Sequence, residues 1–211
     1  VFIIPGNHDP WVKGSYYMNY EWANNVYILN SENPYVHVDK NGITVYDPYA
    51  FTNREMEINP DDINVLLTHG TVDLNIDGNS YNPMRSSELV TLGIDYIALG
   101  HFHKRIDNIG EKGIIYNPGS PEPLGFDEPG EHGVYIGTIV KRSHLNVDLS
   151  IDFKAINRRY YEELMVDITG CITDQQVIHN IMDKVKMLSS DIQSNLSSFL
   201  VRVVLSGYID P

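Results

Sequence analysis

Short apolar runs broken by turn residues dominate the chain, and the helical interval recurs in few places. Residues 1–4, Val-Phe-Ile-Ile, form a β-type run that stops at Pro5-Gly6, so the chain is expected to begin inside a buried strand. Further strands are predicted over 26–29, 35–38 and 43–46, the last two joined by a Lys40-Asn41-Gly42 turn. A β-branched and leucine-rich run over 63–68 enters His69-Gly70, and a run over 94–99 enters Gly100-His101-Phe102-His103. Between them, residues 86–92 read as a short helix that starts on serine and ends at Gly93. Runs over 114–116, 133–140 and 146–153 continue the strand pattern.

Near residue 155 the character changes. A strand over 160–168 leads to a helix capped at Thr173-Asp174, and 199–205 is strand again. The helix repeats apolar residues at Val177, Ile178, Ile181, Met182, Val185 and Leu188, a stripe expected to pack on its own two strands. This gives an α/β chain in two parts, residues 1–155 and residues 156–211, the second a β-α-β unit.

At 211 residues the chain is long enough for a core that needs no covalent staples. Its one cysteine, Cys171, has no partner in the chain and reads as a small core residue. Cysteine poverty fits a reducing compartment, so a cytoplasmic protein is expected. Apolar runs fall well short of the ~20 residues of a membrane helix, and no membrane partner is expected. A formal net charge of -13 argues against a generic basic surface for nucleic acid. Bound divalent cations would offset that charge locally.

Three loops at strand ends carry the candidate chemistry. In Gly6-Asn7-His8-Asp9, glycine permits a tight reversal, Asn7 offers a neutral amide oxygen to a cation, and His8 can give a proton to a departing alkoxide. His69-Gly70 places an imidazole at a strand end, where ligands collect in open sheets. His101 and His103, two apart after a strand, can direct two imidazoles toward one small volume. Alone, the first loop reads as a turn and His69 as a hydrogen-bonded surface residue, while the His101/His103 pair is a moderately specific metal signal. Together, and in this order, they deliver ligand types suited to Mn, Fe or Zn. His37, His132, His144 and His179 belong to no such motif and are expected at the surface.

These residues resemble the calcineurin-like metallophosphoesterases, whose pattern runs GNH[DE], then His followed by Gly, then GHxH. The stretch 115–134, reading IYNPGSPEPLGFDEPGEHGV, is similar to that of bacterial SbcD-type DNA repair exonucleases. The resemblance implies a metallophosphoesterase β-sandwich flanked by helices, incomplete at the amino terminus, followed by the start of a small α/β capping domain. It implies two divalent metal ions, manganese first, with Asn7, His69 and His101 on one and His103 on the other. His8 would be the catalytic acid, and Asp9 would orient its neighbours. The partners it implies are DNA as substrate, an SbcC-like ATPase subunit and a second copy of the chain.

The family pattern also includes an Asp-x-His and a Gly-Asp pair, and neither occurs in these residues. An upstream segment is expected to carry them, and the chain as it stands is expected to hold metal poorly and to be inactive. Two other readings stay open: a phosphodiesterase or phosphatase for nucleotides or small phosphate esters, and a non-catalytic scaffold.

Overall fold

A computed structural model describes residues 1–52, 56–73, 80–191 and 198–208. The chain forms two compact units. One comprises Val1–Gly119 with Val134–Lys154, the other Ser120–Gly133 with Ala155–Pro211. The fold is mixed α/β with a central sheet and few helices.

The first unit is built on a six-stranded sheet. Its strands are β3 (Tyr35–Val38), β4 (Ile43–Tyr46), β5 (Ile63–His69), β6 (Tyr96–Gly100), β7 (Ile106–Ile109) and β8 (Ile115–Asn117), in the spatial order β3-β4-β5-β6-β8-β7. Strands β4, β5, β6 and β8 run parallel, and the edges β3 and β7 are antiparallel. In β5 every second residue, Asn64, Leu66 and Thr68, is buried, which is the pattern of a strand with one enclosed face. Leu66, Ile97, Leu99, Ile115 and Tyr46 form the core against it. Strand β7 is not legible in Ile-Asp-Asn-Ile, since two of its four side chains are polar and exposed.

A separate parallel pair joins β1 (Phe2–Ile3) to β2 (Tyr27–Ile28). The expected buried strand at residues 1–4 is shorter and shallower than its composition suggests. Phe2 and Ile3 are half-buried and Val1 is 68% exposed, because β2 is the one strand that pairs with β1 among the described residues. Helices in this unit are single turns, α1 (Tyr16–Asn19) and α2 (Ser86–Leu89), with a 3-10 turn at Pro48–Phe51. The helix expected over 86–92 thus stops early, at Leu89 with Val90 as its C-cap, and Gly93 follows at φ 78°.

A long hairpin, β9 (Gly133–Ser143) and β10 (Asn146–Ala155), meets the sheet through Tyr135, which contacts Tyr116 edge-on at 5.2 Å between ring centres. Lys141 reaches into the same unit and pairs with Asp95 at 2.8 Å, both side chains nearly fully buried.

In the second unit β11 (Tyr160–Asp167) and β12 (Phe199–Ser206) are parallel, linked through α3 (Asp174–Asp191). Thr173 Oγ1 accepts the Gln176 N–H, and Gln176 Oε1 accepts the Ile172 N–H, a reciprocal cap. Val166, Ile168 and Cys171 form the core with Val177, Ile181 and Val203. The apolar stripe of α3 is only partly inward: Ile178 and Met182 are exposed, because a two-stranded sheet covers a narrower arc than the stripe spans. His132 is buried rather than superficial. Its ring lies 2.8 Å from Ser120 Oγ and 3.2 Å from the Glu128 carbonyl, so its polar atoms are satisfied inside the fold.

Candidate metal and phosphoester site

The register of the central sheet brings two of the three loops together. His69, the last residue of β5, pairs directly with Gly100, the last of β6. His101 therefore starts one residue beyond His69 on the neighbouring strand, and their rings stand 5.1 Å apart. The β1–β2 pair delivers the third loop: the Leu29 N–H donates to the Ile3 carbonyl at 2.9 Å, and the chain turns at Pro5-Gly6 toward His69. Asn7 Oδ1 then lies 2.7 Å from His69 Nε2.

Gly6 is needed here for space. A Cβ at this position would stand 2.9 Å from His69 Cε1 and 2.8 Å from Asp9 Oδ1. Asp9 is exposed and turned inward by two donors, the Gly6 N–H at 2.9 Å and the Tyr17 hydroxyl. Burial, followed by that bond to Asp9, pushes the Tyr17 hydroxyl up to about 12, so it stays a donor. Asp9 thus braces the turn that aims Asn7. His8 is exposed, yet close enough for its charge to bear on both His69 and His101.

Both imidazoles are biased toward the neutral form that ligates metal. Burial lowers the His69 pKa first, and His101 adds to the effect. Burial also lowers the His101 pKa, with His103 and His8 contributing. His101 sits at φ 120°, a backbone conformation that side-chain-bearing residues seldom adopt and that clusters at functional sites.

The loop carrying His101 and His103 is pinned from beneath by a residue that motif reading did not single out. Asn117, fully buried at the end of β8, donates from Nδ2 to the carbonyls of Phe102 at 2.9 Å and Lys104 at 2.8 Å. Gly119 packs against the same loop, where a Cβ would fall 2.3 Å from the His103 carbonyl oxygen. Tyr81 was also missed. Its ring stands 5.8 Å from that of His69 and 5.7 Å from that of His101. Tyr81 lies in a polar loop without periodicity, so no local signal marks it.

Among the described residues no group of three or more His, Cys, Asp or Glu side chains is placed to hold a metal ion. The donors that do converge are an amide oxygen and two imidazoles, from Asn7, His69 and His101. Their chemistry fits part of the shell of one borderline divalent cation. His103 is exposed and is the one expected ligand left for a second cation.

Residues 1–105 match the calcineurin-like phosphoesterase family. Across 98% of its length the chain is 26% identical to a protein of Bacillus subtilis (strain 168) named Uncharacterized metallophosphoesterase YhaO. The chain spans about half the length of that relative, 51%.

Proposed function

We propose that this chain, whose residues 1–105 are of the calcineurin-like phosphoesterase family, is part of a metal-dependent phosphodiesterase that cleaves DNA in repair, as an exonuclease of SbcD type. The observation that carries the phosphoester chemistry is the approach of Asn7 Oδ1 to His69 Nε2 at 2.7 Å, with the His101 ring beside them. Three loops remote in sequence converge on that point, and each brings a donor suited to a divalent cation.

Asn7, His69 and His101 would hold a cation, and His103 would serve a second; manganese suits this mix of oxygen and nitrogen donors. A bound divalent ion supplies charge neutralisation at phosphate and lowers the cost of making a nucleophile from water. The remaining work belongs to the chain. His8, exposed at the rim, reaches the leaving oxygen and hands it a proton. Asp9 keeps the Asn7 turn in place through the Gly6 N–H. Asn117 fixes the backbone that presents His101.

Within the family, the choice of DNA rests on the stretch 115–134, and an SbcC-like ATPase subunit and a second copy of the chain are the partners that choice carries with it. The net charge of -13 favours the other reading, hydrolysis of small phosphate esters. Manganese-dependent hydrolysis of linear DNA by the full-length protein, set beside hydrolysis of a small chromogenic diester, decides between them. Loss of DNA ends is expected; hydrolysis of the diester alone would assign the protein to small esters.

A further inference from the structure

A cavity of about 550 Å³ opens beside His69. That size lies within the ~300–1,000 Å³ of small-molecule pockets. Its walls include three aromatic rings, Trp11, Tyr49 and Tyr81, and its polar lining includes Asp47 and Asn82. Tyr81 belongs to both places, since its ring also stands against His69 and His101. A group bound in the cavity is therefore directly connected to the point where phosphate is expected.

The lining is unlike that of a lipid or aliphatic site. Asp47 is 3% exposed, and its Oδ1 accepts the Tyr49 N–H at 2.8 Å. No described residue donates to its other oxygen. Asn82 donates from Nδ2 to the His69 carbonyl at 3.3 Å, which leaves its amide oxygen as an acceptor. Asn30, by contrast, is spent inside its own turn: Oδ1 accepts the N–H groups of Glu32 and Asn33, and Nδ2 donates to the Ile28 carbonyl. The cavity thus offers flat π-faces on its walls and hydrogen-bond acceptors at one edge.

We propose that this cavity is a nucleobase subsite, in which Tyr49, Tyr81 and Trp11 receive the faces of a base while Asp47 and Asn82 accept hydrogen bonds from its edge. It rests on the phosphoester reading only for its position beside the phosphate. Every base has a π-face, so stacking alone is tolerant of sequence. The acceptors favour bases that present an exocyclic amino group, guanine, adenine and cytosine, over uracil and thymine, whose edge offers a single ring N–H between two carbonyl oxygens. A base is neutral, so the acidic balance of the chain does not oppose its entry. A free nucleotide and the terminal residue of a strand both present such a base, and the pocket chemistry is the same for each.

Calorimetric titration of the full-length protein with guanosine, adenosine and uridine, in the presence of a chelator, tests this without any turnover. Saturable binding is expected, tightest for guanosine and weakest for uridine. Tyr49→Ala should weaken guanosine binding by roughly tenfold, in keeping with the loss of one stacking partner. Tyr49→Phe should retain it. Tyr49 is more than half exposed, so neither change threatens the fold, and an unchanged melting temperature confirms that. Competition by a mononucleotide against a short oligonucleotide shows which source fits better. If no nucleoside binds, or if binding ignores both Tyr49→Ala and Asp47→Asn, the subsite is wrong. Nucleoside binding without hydrolysis of any ester would keep the subsite and remove the phosphoester reading. Hydrolysis without nucleoside binding would do the reverse.

Discussion

Asn7 and His69 are 62 positions apart in the chain, and Asn7 Oδ1 lies 2.7 Å from His69 Nε2. An amide oxygen only accepts, so as a hydrogen bond the contact requires the proton on Nε2. A cation can replace that proton, and the lowered proton affinity of His69 makes the exchange easier. In the function proposed above, Asn7→Ala removes a direct donor to the metal. In the full-length protein it should weaken manganese binding by more than the roughly 10–100-fold that loss of an outer partner costs. Equilibrium dialysis measures it, and unchanged affinity would show that Asn7 faces no metal.

His8 is exposed, and its charge reaches both His69 and His101; in the function proposed above it moves a proton and holds no cation. His8→Ala should lower the rate of ester cleavage by about 10²–10⁴-fold, the range of general acid catalysis. Bound metal per chain should stay the same. A variant that keeps full rate, or that loses its metal in step with its rate, contradicts this division of labour.

Asn117 offers a test of the scaffold under the site. Its Nδ2 satisfies two loop carbonyls, those of Phe102 and Lys104, from a fully buried position. Asn117→Ala should cost about 1–3 kcal/mol for each carbonyl left unpaired. Asn117→Asp should be no better, because a carboxylate cannot donate. Chemical denaturation and metal affinity should fall together. Stability lost with metal affinity intact would mean that the loop holds its shape without Asn117.

What could be read in the sequence follows from which interactions are local. Strands such as β5 declare themselves because each alternate residue faces the core, and the loops at their ends carry the histidines that motif reading found. The α3 cap is local too, Thr173 and Gln176 being three apart. By contrast, β7 shows no apolar alternation, and it is a strand because β8 pairs with it. The burial of His132 depends on Ser120 and Glu128, whose approach no periodicity signals. Tyr81 and Asn117 meet the site only through sheet register and loop packing, so their roles appear only once the chain is folded.

Lys141 and Asp95 pair at 2.8 Å with side chains only 5% and 8% exposed. Asp95 Oδ2 also accepts the Asn64 N–H at 2.8 Å, and Lys141 Nζ donates to the Asp62 carbonyl. Removing one partner strands the other charge. Lys141→Ala should therefore destabilise by about 3–5 kcal/mol. The double change Lys141→Met with Asp95→Asn should recover much of that loss, since neither charge of the pair remains and the amide oxygen introduced in place of the carboxylate can still accept from Asn64. Equal destabilisation by the single and double variants in urea unfolding would show that packing, not charge, dominates here.

Asp47 gives the clearest dependence on pH. Its carboxyl is 3% exposed, and burial raises its pKa, partly countered by the bond from the Tyr49 N–H. A carboxyl whose folded pKa is raised holds its proton more tightly in the native state. Its contribution to stability is therefore full below the unfolded value, about 3.9, and is lost as pH rises through the folded value. Asp47→Asn keeps an oxygen that can accept from Tyr49 and carries no charge at any pH. The melting temperature of the variant should match or trail that of the parent below about pH 4. Toward neutrality the variant should gain the lead, as ionised Asp47 comes to weigh against folding in the parent. A difference between the two that stays constant across that range would mean that Asp47 is solvated well enough to ionise freely.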